Sequence, residues 1–89
     1  MPAISAFFGI VIYMYFFDTK KHKLPHIHAQ YQGEESVFDI ITGEILEGNL
    51  RNQKVKLVQA WIEIHKEELL ADWELSSKGE TPFKIEPLR

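Results

Sequence analysis

Pro25-His26-Ile27-His28-Ala29-Gln30-Tyr31 is the stretch whose reading decides the fold. Its β-branched and aromatic residues, opened by a proline, predict a strand over 26–32, and side chains alternate faces along a strand. His26, His28 and Gln30 then line one face while Ile27, Ala29 and Tyr31 line the other. The first face is polar enough for chemistry or recognition. The second belongs to a core.

Upstream, a β-branched and aromatic run predicts a strand over 9–17, with Ile10, Ile12, Met14 and Phe16 on one side and Val11, Tyr13, Tyr15 and Phe17 on the other. Both sides are apolar, as in a strand flanked by neighbours, and residues 1–6 read as a lead-in. A polar loop holding Lys20, Lys21, His22 and Lys23 connects this strand to the histidine strand. Downstream, turns at Gln32-Gly33-Glu34 and Thr42-Gly43 separate strands over 36–41 and 44–47. Connections this short imply antiparallel neighbours.

Beyond the breaker Gly48-Asn49-Leu50-Arg51-Asn52, with Asn49 or Asn52 as N-cap, the apolar period changes to that of a helix over 53–75. Val55, Val58, Trp61, Ile62, His65, Leu69 and Trp73 share one arc, and Lys56, Gln59, Glu63, Lys66 and Glu67 oppose it. Burying five or six such side chains contributes about 10 kcal/mol before entropy is subtracted, so this helix should cover a sheet face. Residues 80–89 read as an extended tail in which Phe83, Ile85 and Leu88 pack. The expected architecture is α+β: one domain over 1–89, an antiparallel meander of about four strands with one long helix on one face.

Composition narrows the function. The 89 residues suffice for one core, and 45% hydrophobic with 26% charged residues is globular usage. A net charge of −3 argues against a uniformly basic nucleic-acid binder, so any phosphate contact must be local. Without cysteine there is no disulfide scaffold and no thiolate metal site, which fits a cytoplasmic setting. The apolar run from Phe7 to Phe17 is too short to span a bilayer and lacks the pattern of a signal peptide.

His22, His26 and His28 support three readings. In the first, which needs no cofactor, His26 and His28 divide acid–base work on RNA, assisted by His22, while Lys20, Lys21 and Lys23 hold phosphate and Tyr13 stacks bases. In the second, the three imidazoles hold a divalent metal such as zinc, with Asp18, Glu34 or Asp39 as a further ligand. In the third, they are hydrogen-bonded surface groups without a catalytic role. Inside the helix arc, His65 reads as a core histidine bonded to a carbonyl or a tyrosine.

Ile4-Ser5, the run from Phe8 to Tyr15, Pro25-His26-Ile27-His28-Ala29, Phe38-Asp39-Ile40, Thr42-Gly43-Glu44 and the helix from Trp61 to Trp73 resemble a small bacterial family, domain of unknown function 4160. Members often carry two prolines before the first strand histidine and another histidine a few residues upstream. Leu24 replaces one proline here, and His22 matches the upstream position. The family has no established activity, and its members are commonly encoded beside another small domain, an arrangement similar to toxin–antitoxin pairs. The resemblance thus implies a protein partner and a cytoplasmic setting. The reading adopted is a component of such a two-gene module that binds RNA through its histidine-bearing sheet face, with ribonuclease-type cleavage as its enzymatic form; the competing readings are a non-enzymatic interaction module or homodimer, and a metal protein.

Overall fold

Two dipeptides set the sheet's hairpins. Phe8-Gly9 and Gln32-Gly33 both hold positive φ at each residue (50° and 81°; 46° and 81°), the backbone that matches the twist of a two-residue antiparallel turn. The computed structural model describes residues 3–17 and 23–88. The first turn joins β1 (Ala3–Phe7) to β2 (Ile10–Tyr13), and the second joins β3 (His26–Tyr31) to β4 (Glu34–Asp39). A fifth strand, β5 (Ile45–Gly48), completes an antiparallel sheet in the order β1-β2-β3-β4-β5.

The α+β class and the antiparallel meander hold, with five strands in place of about four. The segment read as a lead-in is β1, because Phe8 takes a left-handed conformation that its side-chain type does not advertise. The strand expected over 9–17 ends at Tyr13, and the one expected over 36–41 runs two residues earlier, over Glu34–Asp39. Asp39 ends β4: its Oδ1 accepts the N–H groups of Ile41 (2.7 Å) and Thr42 (3.2 Å), which folds the chain into the next turn.

The long helix is also divided. α1 (Asn52–Ile64) and α2 (Lys66–Ser77) meet at His65, whose φ of −111° and ψ of 23° lie outside the helical region. Hydrogen bonds from His65 N–H to the Trp61 carbonyl and from Leu69 N–H to the His65 carbonyl still cross the joint, so it is a kink and not a loop. Arg51, not Asn49 or Asn52, is the N-cap residue, and it makes no side-chain cap bond.

Val55, Val58, Trp61 and Ile62 of α1 pack on Ile4, Phe7, Ile10, Ile12, Ile27, Ala29 and Phe38 of the sheet. Trp61 is fully buried, 5.4 Å from the Phe7 ring, and its Nε1 donates to the Glu86 carbonyl. That bond and one from Ile85 N–H to the Ile4 carbonyl (2.8 Å) lay the C-terminal tail beside β1. Ile85 is buried there as expected, whereas Phe83 is exposed. The helix period continues through α2, but at two positions the buried residues are polar: Asp72 and Ser76 follow Leu69 into the interior. No helix among the described residues is long and apolar enough to cross a membrane.

Candidate functional site on the outer face of the sheet

With Ile27 and Ala29 beneath α1, alternation turns His26, His28 and Gln30 to the opposite side. Register then assembles the rest of that face. Tyr13 of β2 pairs with His28, His28 with Val37 of β4, and Gln30 with Glu35. Tyr15, two residues beyond Tyr13, leans back so that its ring centroid lies 4.3 Å from that of His28.

The rings form one continuous track. Tyr13 and Tyr15 stack at 6.1 Å, Tyr15 meets His28 at 4.3 Å, His28 meets His26 edge-on at 5.4 Å, and His26 meets Trp73 of α2 at 4.9 Å. Such offset and edge contacts suit the ring quadrupoles.

The two histidines differ in how they are held. His26 is 1% exposed, and its Nδ1–H donates to the Leu24 carbonyl at 2.7 Å. The side chain of His28 keeps 13% of its surface, and its Nδ1–H donates to Glu35 Oε2 at 3.1 Å. Glu35 accepts at its other oxygen from Gln30 Nε2 at 2.8 Å. A carbonyl or carboxylate oxygen can only accept, so both imidazoles carry a proton on Nδ1.

Of the residues the sequence singles out, His26, His28 and Tyr13 come together on this face, and Lys23 is exposed two residues before the β3 proline. His22, Lys20 and Lys21, and the candidate ligand Asp18, lie outside the described residues. Glu34 is occupied by Arg51 through a two-pronged ion pair (3.0 and 3.1 Å), and that guanidinium holds its carboxyl below the usual range. Asp39 serves the turn after β4. Among the described residues no three His, Asp or Glu side chains converge as a metal site. Elsewhere, His65 donates its Nδ1–H to Glu68 Oε1 at 2.6 Å beside Trp61, a carboxylate partner where a carbonyl or tyrosine was expected.

Glu35 is the member that sequence reading missed. Counting outward from the two-residue turn Gln32-Gly33 places Tyr31 opposite Glu34 and Gln30 opposite Glu35, so the register contained the signal once the turn length was fixed.

No curated protein and no solved structure matches the chain. A family model does, across residues 9–74, from the Gly of the first hairpin to the residue after Trp73, and so includes the ring track and Glu35. The chain belongs to the family described as domain of unknown function (DUF4160).

Proposed function

We propose that this chain binds single-stranded RNA on the outer face of its sheet, as one member of a toxin–antitoxin-like pair with the small protein encoded beside it. The observation that carries the RNA reading is the unbroken ring track from Tyr13 through Tyr15 and His28. Unstacked bases associate with aromatic faces at about 1–3 kcal/mol each, without regard to sequence. Gln30 and Glu35 border the track with polar groups suited to ribose and base edges. Phosphate contact falls to Lys23 and to Lys20 and Lys21 shortly before it in the sequence, a local basic segment in a chain of net charge −3. The pairing with a second protein rests on the family resemblance.

The test is a fluorescence anisotropy titration of a labelled single-stranded RNA with tag-free protein at two salt concentrations. Saturable binding with a shallow salt dependence, about two counterions from three lysines, is expected. Absence of binding, or equal binding of a blunt duplex, defeats the reading.

The interaction-module reading has its own observation: Phe16, Phe17 and Leu24 are 40%, 66% and 51% exposed. Tight association with the neighbouring gene's product in the absence of RNA binding would favour it.

A further inference from the structure

The two halves of the kinked helix are held to the molecule by different means. The buried residues of α1 are Val55, Val58, Trp61 and Ile62, all apolar, whereas those of α2 are Leu69, Asp72 and Ser76. Asp72 and Ser76 are 2% and 1% exposed, and neither Asp72 Oδ2 nor Ser76 Oγ has a hydrogen-bond partner. An unpaired buried polar group is a net cost, and an ionised one a larger cost. Beyond Leu69 and the partly buried Leu70 and Trp73, few contacts secure α2. Phe83 N–H of the tail donates to Asp72 Oδ1 at 3.0 Å, Phe17 N–H donates to the Ser76 carbonyl at 3.0 Å, and the Trp73 ring lies 4.9 Å from that of His26. The tail has its own anchors, Ile85 to Ile4 of β1 and the Glu86 carbonyl to Trp61 of α1, so it stays seated when α2 moves. His65, where the backbone leaves the helical region, supplies a hinge.

We infer that α2 is a flap, hinged at His65, which opens when Asp72 ionises and carries Trp73 off His26. No cation among the described residues is paired with Asp72. On its own helix, Glu68 adds a like charge one turn earlier. The tail contributes the neutral Phe83 N–H and, along the groove that Glu68 also lines, Lys84 and Glu86. From β3, His26 lies against the neighbouring Trp73, and at the hinge His65 is bonded to Glu68. Burial outweighs these influences and favours the protonated carboxyl in the closed position. In the open position water hydrates the carboxylate. Opening therefore becomes more frequent as pH rises from the ordinary Asp value of 3.8 to the raised value of the closed state, by up to about tenfold per pH unit, and is level above it. The flap does not depend on RNA binding.

The experiment measures amide hydrogen exchange by NMR across roughly pH 4 to 7.5 on the full ¹⁵N-labelled chain, wild type beside Asp72→Asn, as protection factors corrected for intrinsic exchange. The carboxyl carbon of Asp72 is titrated in ¹³C-labelled wild type. Protection over 69–77 should fall about tenfold or more as pH rises, with the midpoint of the Asp72 carbon, while α1 and strands β2 to β4 hold theirs. The Trp73 indole N–H should shift over the same range and that of Trp61 should not. In Asp72→Asn, protection over 69–77 should stay level. Constant protection of α2 in wild type overturns the inference, as does a loss shared equally by α1, which would be global unfolding. A midpoint apart from that of the Asp72 carbon overturns it without any variant. A pH-dependent loss that survives Asp72→Asn overturns it too, and assigns the effect to His26 or His65.

Discussion

His26 and His28 leave the same strand on the same face, two residues apart, yet they enter different surroundings. His26 stands at the strand's first residue, where Trp73 of α2 covers it and a backbone carbonyl takes its proton. His28 stands mid-strand, where it meets side chains of the two adjoining strands: Tyr15 beyond β2, and Glu35 of β4. Strand alternation assigns a face; the elements that roof each end of the strand decide what a side chain on that face can do. The His26 imidazole is buried against a local carbonyl partner, whereas the His28 imidazole keeps 13% of its surface and is tied to a carboxylate on the adjoining strand.

Substitutions separate the two environments, and the covered side should give the largest effect. Trp61→Ala removes a fully buried ring and its bond to the tail, and should cost about 3–5 kcal/mol, read as a lowered urea midpoint. A near-normal midpoint would mean that α1 does not cover the sheet as described. His26→Ala should cost about 2 kcal/mol, because it opens a cavity beside Trp73 and orphans the Leu24 carbonyl. Tyr15→Ala tests the other environment: RNA affinity should fall about tenfold, the contribution of one stacked base, with the fold retained. His28→Ala should move stability by only about 0.5 kcal/mol, since its carboxylate partner is half exposed and its own hydrogen bond is replaceable by water. Equal losses of stability for the two histidine variants would erase the distinction between them.

The smallest effect comes from the helix that roofs His26. Burial pushes the Asp72 carboxyl above the ordinary Asp value, against the opposing bond from Phe83 N–H and with a smaller upward push from Glu68. A raised carboxyl pKa in the folded state means that folding binds the proton. Stability is therefore highest below the unfolded value near 3.8 and declines as pH rises through the raised folded value. Thermal melts across that window should show the decline, and Asp72→Asn should flatten it while keeping an oxygen for Phe83 N–H.

Much of this was legible in the sequence. The alternation in Pro25-His26-Ile27-His28-Ala29 placed Ile27 and Ala29 in the core correctly, but His26, read as part of the open face, is itself buried. The α1 arc of Val55, Val58, Trp61 and Ile62 is buried as its spacing predicted. What escaped has a physical reason in each case. Phe8 turns with positive φ, a cost that an aromatic residue rarely accepts, so β1 was hidden. Asp72 and Ser76 continue the buried period of α2 with polar side chains; Asp72 Oδ2 and Ser76 Oγ find no hydrogen-bond partner among the described residues, an arrangement that hydropathy cannot anticipate. The kink at His65 has no proline or glycine to announce it. The difference between His26 and His28 depends on Trp73, some 45 residues away, so no local pattern could distinguish them.

The most direct test of the central claim is a two-dimensional NMR titration of the ¹⁵N-labelled protein with a short single-stranded RNA. The account predicts chemical-shift changes concentrated at Tyr13, Tyr15, His28, Gln30 and Glu35, with the outward positions of α1 such as Lys56 and Glu63 unmoved. Changes confined to the helices, or none at saturating RNA, would contradict it.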